Sequence, residues 1–140
     1  DLIGTLKDDF LIEDYKSVIE DLVSLEDDFY SPCETYRFIN SDSIDKIMQD
    51  ELSDDEYILG CFNPHFISSI IEIDSNIIEL IQEAGAYEAV GKLIIRLDKL
   101  GELQEEYARI DGYGHHFAYD DYLTNEICVL NELYYVFKVN

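Results

Sequence analysis

In the segment Leu133-Tyr134-Tyr135-Val136-Phe137-Lys138-Val139 (LYYVFKV), Leu133, Tyr135, Phe137 and Val139 alternate with Tyr134, Val136 and Lys138. A period of two sends successive side chains to opposite faces, so this segment reads as a strand. A strand needs partners. Residues 115–119 and 126–130 are the expected ones, joined by the polar stretch from Asp120 to Asn125. Residues 35–39 (TYRFI) also have strand character but are short.

Upstream the apolar period lengthens to that of a helix. Leu11, Ile12, Tyr15, Val18, Ile19, Leu22 and Val23 recur at helical spacing, predicting an amphipathic helix over 9–24 with Glu13, Asp14, Glu20 and Asp21 on its other face. Pro32 closes the loop that follows. A second helix starts near Ser41 or Asp42 and carries Ile44, Ile47 and Met48. Ser53 and Glu56 have capping-box spacing, opening a short helix that Gly60 ends. Asn63-Pro64 reads as N-cap and first helical residue of another, bearing Phe66, Ile67, Ile70 and Ile71. Asp74 caps the next, with Ile77, Ile78, Leu80, Ile81 and Ala84 as its stripe, and Gly85 punctuates it. One helix from Ala86 to Leu100 turns Ala86, Ala89, Val90, Leu93, Ile94, Leu97 and Leu100 inward and closes at Gly101. The expected fold is α+β in a single domain, 1–140: a helical N-terminal two-thirds packed with a small C-terminal antiparallel sheet.

The stretch Ile110–Tyr122 (IDGYGHHFAYDDY) has the residue types of an active site, with two histidines and three aspartates among aromatics. In a strand, however, His115 and His116 point to opposite faces and do not converge on one metal. A catalytic zinc usually takes three protein ligands, and Cys61 and His65 are the only other candidates. A glycine turn feeding an aromatic strand accounts for the segment, so no metal, cofactor or catalytic residue is assigned. Phe62–Ala89 has a helix-turn-helix outline. Its second helix would need basic or amide residues facing the groove, yet residues 72–88 hold Glu72, Asp74, Glu79, Glu83 and Glu88 and no Lys or Arg. Phosphate-loop, dinucleotide-binding, zinc-protease and serine-hydrolase signatures are all missing, which argues against an enzyme.

Charge is the strongest compositional signal. Thirty-two acids against nine bases give −23. A folded chain of this mass exposes roughly 7,500 Å². Spread evenly, that is about 230 Å² per acid, and on half the surface about 120 Å². Duplex DNA, with one charge per ~1.7 Å of axis, has about 110 Å² per phosphate. A one-sided acidic surface therefore approaches the charge density of DNA, and the same sign disfavours binding nucleic acid directly. The apolar content of 47% is that of a folded chain. No run reaches the roughly 20 apolar residues of a membrane span, and no leader is recognisable. The expectation is a soluble cytoplasmic protein that lacks native residues before Asp1. Cys33, Cys61 and Cys128 do not form a disulfide framework, and each is expected to be a small buried hydrophobe. Of eleven tyrosines, Tyr15, Tyr87 and Tyr135 are assigned to the core boundary. Tyr57, Tyr113, Tyr119 and Tyr122, beside acids or turns, are candidate contact residues.

The segments YILGCFNPHFISSIIEID, EAGAYEAVGKLII, DGYGHHFAYDD and YYVFKVN, within residues 57–140, resemble small acidic proteins of phages and mobile elements that have antirestriction or anti-CRISPR functions. The resemblance implies an inhibitor of a host nuclease, either a restriction enzyme or a CRISPR effector. Residue usage rich in Ile, Asn, Asp and Tyr points to a low-GC bacterial host and, with it, to a Cas9-type effector. Such effectors hold nucleic acid in basic channels, and carboxylates accept arginine forks as phosphates do. The partner-binding candidates are Asp27, Asp28, Asp54, Asp55, Glu56, Asp120 and Asp121, with Tyr57, Tyr113 and Tyr119. Two other readings are a non-inhibitory interaction module for a basic partner and a small carboxylate-dependent hydrolase.

Overall fold

A computed structural model describes residues 14–120 and 124–139. The chain forms two compact units: Asp1–Ile44 with Asp111–Asn140, and Asp45–Ile110. The α+β class holds, with eight helices and one four-stranded antiparallel sheet among the described residues.

The first unit is built on β4 (Glu132–Lys138), a central strand in the order β1-β2-β4-β3. Here β1 is Phe29–Tyr30, β2 is Tyr36–Asn40 and β3 is Thr124–Val129. The register pairs Phe38 with Val136 and Ile127 with Tyr134, so Tyr36, Phe38, Ile127, Tyr134 and Val136 share one face. Helix α1 (Tyr15–Ser24) covers that face with Val18, Ile19 and Leu22. The opposite face carries Arg37, Tyr135 and Phe137, where a single helical turn, α8 (Gly114–Phe117), brings Phe117 to 5.0 Å from the Phe137 ring. β4 is thus buried on both faces. The two-residue link Leu130-Asn131 has positive φ at both positions, the signature of a type I′ hairpin turn.

Residues 115–119 are therefore not a strand: the chain makes one helical turn and presents Phe117 to the sheet instead of adding an edge. The sheet takes β1 and β2 from residues 29–40, well upstream. TYRFI supplies most of β2, which pairs on one side with β1 just upstream and on the other with β4, nearly a hundred residues further along the chain. Residues 9–13 of the first predicted helix fall outside the described residues, and Val23 is exposed rather than inward.

Beside the sheet, Tyr36 donates to Glu34 Oε2 at 3.2 Å, and Lys138 Nζ lies 2.7 Å from the same oxygen. Burial, then the Glu34 carboxylate, pushes the Tyr36 phenol up to about 12. In the unfolded chain the phenol ionises near 10. Its folded pKa is the higher one, so the neutral form's stabilising contribution is complete below pH 10 and is lost as pH rises from about 10 through 12. Urea denaturation across that window is expected to show a steep alkaline loss of stability, flattened in Tyr36→Phe.

The second unit contains α2 (Ile44–Asp54, from Asp45 onward), α3 (Glu56–Leu59), α4 (Pro64–Ile71), α5 (Ser75–Glu83), α6 (Tyr87–Arg96) and α7 (Leu100–Asp111, to Ile110). α3 and α6 touch backbone to backbone at Gly60 and Gly91. Gln82, buried on α5, donates to the carbonyls of Gly60 and Phe62 at 3.0 and 2.9 Å, holding the α3–α4 connection. Gln104, fully buried on α7, donates to Asp45 Oδ1 at 2.8 Å and accepts from Gln49 Nε2 at 2.9 Å. Both buried glutamines of this unit thus have partners, as burial of a polar group requires.

Asn63 and Asp74 cap α4 and α5 through their side chains, and Pro64 takes the first helical position, as their sequence positions predict. The cap of α3 differs. Ser53 belongs to α2, where its hydroxyl donates to the Asp50 carbonyl, and Asp55 caps α3 by accepting from Ile58 N at 3.1 Å. The predicted helix over 86–100 is broken: α6 ends at Arg96, and Asp98 adopts φ 56°. The amides of Asp98 and Lys99 then bond to the carbonyls of Ile95 and Ile94, a Schellman termination. Gly101 consequently lies in the first turn of α7.

Candidate acidic interface

None of the 27 described acidic side chains belongs to a buried residue, and most are exposed. They are unevenly accompanied by cations. In the second unit, the fifteen acids meet only Lys46, Lys92, Arg96, Lys99 and Arg109. Between Lys46 and Lys92 lie ten acids and no lysine or arginine. Eight of the ten are exposed: Asp50, Asp54, Asp55, Glu72, Asp74, Glu79, Glu83 and Glu88. Lys46 pairs with Asp50 along α2, at the boundary of this stretch. α6 and α7 differ, because there Lys99 pairs with Glu102 and Arg109 with Glu106. The Arg109 hydrogen bond holds the Glu106 carboxyl below its usual range.

The residues picked from sequence have diverse environments. Asp54 is exposed at the end of α2. Asp55 spends one oxygen capping α3. Glu56 is half-buried, and its Oε2 is enclosed without a hydrogen-bond partner. Tyr57 is exposed, its ring 5.3 Å from that of Tyr87. The Tyr57 phenol is pushed above its usual range chiefly by the electrostatic influence of the neighbouring Cys61 side chain, then by burial. These four residues are consecutive in the chain, running from the end of α2 into α3.

The other candidates belong to the first unit. Asp27 folds its carboxylate onto the amides of Asp28 and Phe29, at 2.8 and 3.2 Å. Asp28 lies 2.7 Å from Arg37 Nε, whose guanidinium also stands 4.9 Å from the Phe29 ring and 5.1 Å from that of Phe117. Tyr113 packs on Tyr135 at 5.1 Å. Tyr119 is 78% exposed and donates its amide to the Lys138 carbonyl, and Asp120 beside it is exposed. Asp121 and Tyr122 lie outside the described residues.

This placement separates structural from available carboxylates. Arg37 has a side chain only 13% exposed, so Asp28→Asn removes the acid facing a largely buried cation. A loss of roughly 1–3 kcal/mol is expected in chemical denaturation. Asp120→Asn, at an exposed position, should stay within about 0.5 kcal/mol of the parent.

His115 and His116 sit on one helical turn rather than a strand, and among the described residues no group of three or more His, Cys, Asp and Glu is placed to hold a metal. Cys33, Cys61 and Cys128 are all exposed, contrary to the buried role expected of them. Among the described residues no helix is long and apolar enough to cross a membrane. The absence of lysine and arginine extends beyond residues 72–88 to the whole Lys46–Lys92 interval, and it is legible in the sequence itself. Glu79, Glu83 and Glu88 join the candidates on that ground. No protein-family model, curated protein or solved structure matches this chain.

Proposed function

We propose that this chain is a stoichiometric inhibitor of a nucleic-acid-targeting defence nuclease, acting in the cytoplasm of a bacterial host. Its target is a CRISPR effector, with a Cas9-type enzyme favoured, or a restriction complex, and it occupies the basic channel that otherwise holds DNA. The observation that carries this reading is the interval between Lys46 and Lys92, which holds ten acids, none buried, and no lysine or arginine of its own. Like charge crowded on a fold destabilises it, so such an interval calls for an opposing partner. Arginine forks that receive phosphates receive carboxylates with the same bidentate geometry. No metal or cofactor is needed, because occupying a channel involves no chemistry.

The test is displacement of a labelled duplex from a Cas9-type complex and from a restriction complex, at about 50 and about 500 mM salt, which span weak and strong screening. Displacement at near-equimolar protein, with an inhibitor affinity that falls steeply as salt rises, is the expected result. Failure to displace DNA from either, or equal binding to the DNA-loaded complex, overturns it.

A further inference from the structure

The exposed face of α5 is not uniformly acidic. Ile77 and Leu80 are 51% and 65% exposed, and Ala84 is exposed one turn further on. Their i, i+3, i+7 spacing places them within about 60° of one another around the helix axis. Glu79 and Glu83 occupy the adjoining arc, also exposed, and Ile78 and Gln82 on the reverse side are buried. A single exposed Leu is ordinary. An aligned apolar stripe with carboxylates along one flank is the arrangement that receives an amphipathic helix.

We infer that the Ile77–Leu80–Ala84 stripe docks a basic amphipathic helix of the partner protein, with its apolar side on the stripe and its lysines or arginines on Glu79 and Glu83. The inference rests on the preceding reading in taking the partner to be basic, and it adds an apolar anchor to that interface. Charge selects this occupant over others. A second copy would set one unit of fifteen acids and five bases against another. The chain's own first thirteen residues carry Asp1, Asp8, Asp9 and Glu13 against Lys7 alone. Both would meet Glu79 and Glu83 with like charge. A cationic helix meets them with opposite charge and covers Ile77 and Leu80 at the same time.

The two contributions respond differently to salt, since ion pairs are screened and apolar burial is not. The probe is a synthetic helical peptide of leucines and lysines in amphipathic order, titrated into the isotopically labelled full chain. A lysine–glycine peptide of equal charge is the control. Amide shifts should centre on α5. Leu80→Ser should weaken binding at least tenfold at both low and high salt, about 50 and about 500 mM, whereas Glu79→Gln with Glu83→Gln should weaken it at the lower and scarcely at the higher. Leu80 is exposed, so the thermal transition of Leu80→Ser should match the parent, and that measurement guards against misfolding. Equal binding of the glycine control, unchanged binding of Leu80→Ser, or a concentration-dependent dimer abolished by Leu80→Ser overturns the inference. Peptide capture on α5 without DNA displacement would sink only the inhibitor reading. DNA displacement by Leu80→Ser at full potency would sink only this one.

Discussion

Gly91→Ala is expected to unfold or severely loosen the second unit, at a cost of about 4 kcal/mol or more. A Cβ built on Gly91 meets Glu56 O at 2.0 Å, Glu56 C at 2.8 Å and Glu56 Cα at 3.0 Å. All three are backbone atoms of α3, so no side chain can rotate out of the way. The contact is reciprocal, with a Cβ on Gly60 meeting Tyr87 O of α6 at 1.8 Å. Relieving either clash means separating the two helices by more than an ångström, and Leu59, Val90 and Ile94, all at or near zero exposure, would lose packing. Ordinary overpacking costs about 1–3 kcal/mol because neighbours yield. Here the neighbour is a main chain fixed by its own helix, so the expected loss lies in the extreme tail of single substitutions. Gly101→Ala provides the control. Its added Cβ has only the Gln49 amide nearby, at 3.9 Å, and it lies in a helix. Replacing that glycine should be neutral or stabilising by up to about 1 kcal/mol. Urea denaturation followed by circular dichroism separates the two. Equal and small effects at Gly91 and Gly101 would show that α3 and α6 do not approach so closely.

The same pair of glycines marks the limit of what the sequence discloses. Gly60 is legible as a helix stop because its local role is to end α3, yet its tighter constraint comes from Tyr87, far along the chain on another helix. Gly91 sits inside a helical pattern, and nothing in its neighbourhood marks it as a crossing point. Helix ends show the contrast again. α1, α5 and α6 all finish in Schellman motifs, with left-handed residues Glu26, Gly85 and Asp98. Only Gly85 is readable, since glycine is the residue that reaches positive φ without strain. At Asp98 an ordinary residue takes the strained position, so a helix that reads as continuous to Leu100 stops at Arg96. N-caps fare better where the capping oxygen has one candidate, as at Asn63 and Asp74. At α3, Ser53 and Asp55 compete, and the nearer aspartate takes the position. On α5 the apolar residues were visible but their direction was not: Ile78 turns in, Ile77 and Leu80 turn out, and buried Gln82 fills the inner face instead. Periodicity gives the residues of a stripe, whereas the neighbours decide which arc is covered.

Neutralising Asp54, Glu79, Glu83 and Glu88 together should strip the chain of its proposed activity while leaving it more stable. All four are exposed, and none is a helix cap or one of the ion-pair partners identified above. As Asn and Gln they preserve shape and remove four of the ten negative charges between Lys46 and Lys92. At on the order of 1 kcal/mol per lost charge contact, inhibition of the nuclease should weaken about a thousandfold at low salt. The parent's advantage should shrink as salt is raised, because screening removes in both proteins what substitution removed in one. Self-repulsion falls at the same time, so the denaturation midpoint at low salt should rise, and the gain should disappear at high salt. The opposite signs are what make the variant informative. Carboxylates kept only for solvation would give the stability gain with no loss of binding, whereas structural carboxylates would lower stability and binding together. Only a surface held ready for a cationic partner predicts a more stable protein that no longer inhibits. An unchanged inhibition constant in this variant would remove the basis for channel occupancy by charge.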